Sequence, residues 1–172
     1  MVTGKGTKMT DAATSSIERR LQALEDQIAI YQTVCGYGYA IDACNGEAVG
    51  ALHAEDATYA VGDMGVFQGR AGVVGIASDP GHVAMVAAGC GHISTLPFVV
   101  LDGDRAVATC HTMVMRKGED GYYAFRVSAS RLQLSRKVGG GWQIDHRQNY
   151  LLDGNPAGPA MLGRLNQGPQ AA

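Results

Sequence analysis

The stretch from Ile28 to Asp42 constrains this chain more than any other. It is apolar almost throughout, and Ile28, Tyr31, Cys35 and Tyr39 recur at spacings of three and four. That spacing predicts the C-terminal half of a long helix, with one continuous apolar face turned to a core. Tyr37 and Asp42 bring polar groups into the same segment. A carboxylate at the end of a buried helix is costly unless another group shares its hydrogen bonds. The helix C-terminus adds a negative partial charge of its own. A cationic or proton-sharing partner is therefore expected from elsewhere in the chain, and His92 is the candidate.

At 172 residues the chain has the length of one domain with a substantial core. Hydrophobic residues at 46% and charged residues at 17% describe a globular protein. A net charge of −2 with no basic block argues against nucleic acid and against an anionic membrane surface. No apolar run reaches the roughly 20 residues of a membrane span. The N-terminus lacks the apolar core of a signal peptide, so a cytoplasmic protein is expected. Cys35, Cys44, Cys90 and Cys110 show no paired spacing and sit among apolar residues, which reads as reduced, buried thiols. Cys90-Gly91-His92 is a single Cys-x-His without a second ligand pair, so no metal is assigned.

In chain order, residues 1–14 are polar and read as a mobile arm. Ser15 and Glu18 match a capping box that would open the helix, which Ile17, Leu21, Leu24, Ile28 and Tyr31 carry forward. Asn45-Gly46 ends it, and Glu47 to His53 reads as a short second helix. Ala57–Gly62 and Val66–Arg70 flank a turn at Asp63-Met64-Gly65. Ala71 to Ala88 is small, apolar and helical, interrupted at Asp79-Pro80-Gly81. Ile93–Leu101, Ala106–Lys117, Tyr122–Lys137 and Trp142–Leu152 read as strands, separated by Asp102-Gly103-Asp104 and Gly139-Gly140-Gly141. On the second of these, Val107, Thr109, His111, Met113 and Met115 share a face. Helices first and long antiparallel strands afterwards define an α+β fold: a cone-shaped barrel, its curved sheet wrapped around the long N-terminal helix. The open end of such a cone is a natural apolar pocket. Residues 15–153 form the domain and 154–172 a tail, with Met161, Leu162 and Leu165 as a small apolar patch.

The pattern resembles the SnoaL-like enzymes of the nuclear transport factor 2-like superfamily over about residues 17–152. Six short pieces in order carry the likeness: Tyr39-Ala40-Ile41-Asp42, His53-Ala54-Glu55-Asp56-Ala57, Gly69-Arg70-Ala71-Gly72-Val73, Gly91-His92-Ile93-Ser94, Leu101-Asp102-Gly103-Asp104-Arg105-Ala106 and Gly141-Trp142-Gln143-Ile144. They are specific for the fold and much less so for a reaction. In the scytalone dehydratase-like members, an Asp near the end of the first helix orients a His that opens a strand, and Asp42 and His92 match those positions. The resemblance also matches Tyr59 to a tyrosine that holds water or a substrate oxygen. His111 lies on the strand of a second histidine, in a shifted register, and Arg131 stands where the dehydratase has an asparagine.

An Asp that fixes the imidazole tautomer lets the His take a proton from carbon or oxygen. The expected catalytic set is Asp42, His92, Arg131, His111 and Tyr59, with Tyr37, Tyr39, Phe125, Val127 and Met113 against the substrate. Arg131, taken as inward-facing with Phe125, Val127 and Ala129, would meet an anion or a developing oxyanion; its plainer alternative is a surface ion pair. His53, His82 and His146 are read as structural. The expected activity is that of a lyase needing no cofactor, of the dehydratase, elimination or formaldehyde-releasing type, or of an isomerase. Its substrate would be a small hydrophobic or aromatic molecule, and the protein a homodimer or homotrimer. The alternative is a non-catalytic binding module or the small subunit of an aromatic-ring-hydroxylating dioxygenase. No nucleophilic-serine motif, phosphate loop or dinucleotide fingerprint is present.

Overall fold

A computed structural model of the chain describes residues 5–62 and 65–169, so Asp63 and Met64 of the expected turn lie outside the described residues. Helix α1 runs from Lys5 to Asp42. It begins upstream of Ser15 and Glu18, so that pair caps nothing, and Ser15 Oγ instead accepts from Arg19 Nη1 within the helix (2.6 Å). The core-facing stripe of α1 is Ile30, Val34, Tyr37 and Ile41, all buried. The stripe expected there lies on the opposite side. Ile28 and Tyr39 are 56% and 78% exposed, and Tyr31 and Cys35 are half-buried. Both stripes have helical spacing, and periodicity alone does not say which one the sheet covers.

Asn45 caps α2 (Gly46–Ala51) by accepting from the Ala48 N–H. The helix stops before His53, which instead opens strand β1 (His53–Val61). Strand β2 (Val66–Gln68) ends short of Arg70, which belongs to α3 (Gly69–Ser78). The break at Asp79-Pro80-Gly81 starts a new helix, α4 (Pro80–Ala87), with Asp79 accepting from the His82 N–H and Pro80 in the first turn. The single strand expected over 93–101 is two, β3 (Cys90–Ser94) and β4 (Phe98–Asp102). Pro97, which cannot donate to a ladder, lies in the break. Strands β5 (Arg105–Gly118), β6 (Gly121–Arg136) and β7 (Trp142–Leu151) follow, then the short helix α5 (Ala157–Leu162).

The sheet runs β2-β1-β7-β6-β5-β3, with β4 also on β5. Its pairs are antiparallel except β1 with β7. The curved sheet wraps α1 without closing. Ile30 and Val34 pack on Ala106, Ala108, Cys110, Leu132, Leu134 and Ile144. Nearer the helix C-terminus, Tyr37, Ala40 and Ile41 pack with Val49, Tyr59, Val73 and Ala77. Each large side chain so buried contributes about 1.5–3 kcal/mol.

Asp26 ties α1 to the far end of the sheet. Arg136 Nη1 and Nη2 donate to its two oxygens (2.7 and 2.8 Å) and Trp142 Nε1 donates a third bond (3.1 Å). The Arg136 bond outweighs desolvation and holds the Asp26 carboxyl below the usual range.

The tail does pack, with Met161 buried, but on the outer face of the sheet. There Arg131 Nη1 donates to the Arg164 carbonyl and to Thr109 Oγ1 (3.1 and 3.2 Å), and Nη2 to the Gln167 carbonyl.

Candidate active site

The wide end of the cone holds a cavity of about 270 Å³, lined by residues of α1, α4, β1, β3, β5, β6 and β7. α1 crosses β3 here at Gly38. A Cβ on that residue would collide with the His92 carbonyl oxygen, so only glycine permits the approach. One turn later the helix ends at Asp42. Asp42 Oδ2 accepts from the His92 backbone N–H (2.8 Å) and Oδ1 from His92 Nδ1 (2.6 Å). The carboxylate thus grips both the backbone and the ring of one residue. Nδ1, facing a carboxylate, carries the proton, which leaves Nε2 as the basic nitrogen of this cavity-lining side chain. Burial pushes the His92 pKa below its ordinary value, and the Asp42 hydrogen bond and charge offset part of that shift.

The opposite wall is polar and cationic. Arg147 is 4% exposed, and its guanidinium lies between the rings of Tyr37 and Tyr59, 4.5 and 4.7 Å from their centroids. Its Nε donates to Asn149 Oδ1 (3.3 Å). Among the described residues no carboxylate pairs with it, and two aromatic faces stabilise the charge instead. Asn149 also accepts from Ser130 Oγ and donates through Nδ2 to the Tyr59 oxygen (2.9 Å). With that oxygen occupied as an acceptor, the Tyr59 hydroxyl keeps its own proton to donate. Burial raises the Tyr37 pKa well above its ordinary value, so that hydroxyl stays protonated. His82 joins the lining; its Nε2–H donates to the Ile41 carbonyl (2.9 Å), and its ring centroid lies 5.5 Å from that of His92.

Of the residues expected at the site, Asp42 and His92 meet, and Tyr37, Tyr59 and Met113 line the same cavity. The others do not reach it. Arg131 is on the outer face, holding the tail. His111 is exposed, its backbone paired with Thr95. Phe125 and Val127 are exposed, Phe125 stacking under the guanidinium groups of Arg116 and Arg126. Tyr39 is exposed on α1.

For the strand residues the cause is parity, and for Tyr39 it is the side of α1 that the sheet leaves uncovered. The inward residues of β6 are Ser128, Ser130, Leu132 and Leu134, and a one-residue shift moves every side chain to the other face. α1 covers one face and the tail the other, so apolar residues occur on both. Register shifts at Val114/Met115 and at Gln133/Leu134 also break the two-residue period where the site is built.

The cavity lining also includes Arg147, Asn149 and Arg126, which sequence reasoning missed, and His82, which it reads as structural. No local signal pointed to Arg147 and Asn149: the two-residue period of Trp142 and Ile144 leads to His146 and Gln148, and it is the register shift opposite Gln133/Leu134 that turns Arg147 and Asn149 inward. His146, next to them, hydrogen-bonds through Nδ1 to Thr58 Oγ1 instead.

Asp42, Cys90 and His92 offer ligand atoms within 4.8 Å of one another, the closest approach to a metal-ligand group among the described residues. The chemistry fits a metal poorly. Both Asp42 oxygens are engaged by His92, and burial with the Asp42 charge raises the Cys90 thiol pKa, keeping it protonated.

An open α+β cone, its curved sheet wrapped on a long N-terminal helix, is the fold of the nuclear transport factor 2-like superfamily. The model for SnoaL-like domains matches residues 22–148, and the chain belongs to that family. The crystal structure of an NTF2-like protein with a cystatin-like fold from Novosphingobium aromaticivorans superposes with a TM-score of 0.83 at 35% identity, covering 86% of this chain and 96% of that one. A protein of unknown function from Mycobacterium tuberculosis matches with a TM-score of 0.65 at 21% identity, over 80% of this chain and 90% of that one. A protein proposed to be an aromatic ring hydroxylase, also from N. aromaticivorans, matches with a TM-score of 0.62 at 23% identity, over 75% and 90% of the two chains. These last two show the fold alone. No curated protein matches. No helix among the described residues is long and apolar enough to cross a membrane.

Proposed function

We propose that this SnoaL-like protein is a lyase or isomerase that moves a proton on a small hydrophobic, oxygen-bearing molecule, with His92 as general base. The observation that carries the reading is the double grip of Asp42 on His92, through Nδ1 and the backbone N–H. A carboxylate in that position fixes one tautomer and stabilises the imidazolium that forms when Nε2 accepts a proton. Arg147 and the Tyr59 hydroxyl hold the oxygen on which negative charge develops as the C–H or O–H bond breaks. The imidazolium then returns its proton, to a departing oxygen in an elimination or to another carbon in an isomerisation, and the dyad is restored. Arg147, not Arg131, fills the electrostatic role. Tyr37, Met113 and Ile41 supply apolar wall suited to an aromatic ring.

The test is a panel of aromatic β-hydroxy, enolisable and diaryl substrates incubated in heavy water with wild type and His92→Ala. Exchange or turnover at one carbon in wild type only is the expected result. Ligands that bind in the cavity without exchange or turnover in wild type would make the domain a non-catalytic binding module.

A further inference from the structure

The stretch of α1 from Ala13 to Glu25 stands clear of the sheet. Every side chain in it but Ser15 is exposed, and packing on the sheet begins at Asp26. This segment projects roughly 20 Å at 1.5 Å per residue. A free-standing helix of that size is marginal in water. It nevertheless carries Ile17, Leu21, Leu24 and Ile28, which are 62%, 54%, 58% and 56% exposed. Their spacings of four, three and four are those of alternating d and a positions of a heptad repeat. Half-buried Tyr31 and Cys35 continue the same spacing toward the body.

We infer that this stripe is a coiled-coil seam, and that a second copy of this chain covers it in parallel. Charge selects the occupant and its direction. With Leu21 and Ile28 at a, Arg20 is at g, and Glu18 and Glu25 are at e. In a parallel pair each Arg20 meets Glu25 of the other copy, twice by symmetry. In an antiparallel pair Glu18 would face Glu25, an acidic repulsion. The geometry also allows it, because the body packs on the Asp26, Ile30 and Val34 side of the helix, away from the seam. The bodies would stand on the outside, with both cavities free.

Sedimentation equilibrium on the full chain tests this. Wild type should show a concentration-dependent species of about 36 kDa, twice the 18.0 kDa chain. Leu21→Gln with Leu24→Gln should weaken association at least tenfold and leave the circular dichroism of the body and the site's activity unchanged, since neither side chain touches the core or cavity. Glu25→Arg should weaken association severalfold, and adding Arg20→Glu should restore it. A wild type that stays at 18 kDa, or an oligomer indifferent to the Leu21/Leu24 change, overturns the seam. Tighter association in Glu25→Arg overturns the parallel arrangement.

Discussion

Gly38 lies against the carbonyl of His92 so closely that a single methyl group has no room. That contact lets the end of α1 deliver Asp42 to both nitrogens it holds. Gly38→Ala should therefore separate the helix from β3, lengthening the Asp42–His92 bonds. Thermal melts should show destabilisation, and turnover should fall by about tenfold or more, as misplacement of a catalytic group does. A variant with wild-type melting and activity would mean that the helix and strand shift without cost.

Within the dyad, His92→Ala and Asp42→Asn are each expected to lower turnover by about a hundredfold or more, the usual contribution of a positioned base. Far- and near-ultraviolet circular dichroism should remain native. Full activity in either variant removes the mechanism.

The two arginines separate cleanly. Arg147→Met should reduce turnover much more than substrate affinity, because charge that develops in the transition state loses its partner. Arg131→Met should leave turnover alone and release the C-terminal tail, seen as faster proteolysis after Leu152. The reverse outcome would restore Arg131 to the site.

The pH dependence follows from the buried histidines. His92 has a folded pKa below the ordinary value near 6.5. A base so depressed is unprotonated at neutrality, so kcat/KM should be flat near pH 7 and fall on acidification with an apparent pKa below 6.5. Asp42→Asn removes the bond and charge that hold the value up, so the limb should move further into acid. His53 and His146 are likewise lowered, chiefly by burial. The unfolded chain then binds more protons than the folded one, so stability is complete above the unfolded value and is lost as pH falls through 6.5 and below. An acid limb above 6.5, or stability that rises on acidification, would contradict this.

Much of the fold was legible in the sequence because it is written in local signals. The long helix, the break at Asp79-Pro80-Gly81, the glycine turn before Trp142 and the order of helices before strands are properties of neighbouring residues. So was the pairing of Asp42 with His92, from the cost of a carboxylate at a helix end and a family likeness. What only the tertiary structure decided was direction. A helix with two apolar stripes and a strand with two covered faces each leave one choice open, and nothing local settles it. The sheet covers Ile30, Val34, Tyr37 and Ile41 and leaves Ile28 and Tyr39 outside. The inward parity of β6 excludes Arg131, and the irregular register of β7 admits Arg147 in its place. The polarity of a residue is set along the chain, but the face it presents is set by long-range packing and by bulges that shift the period.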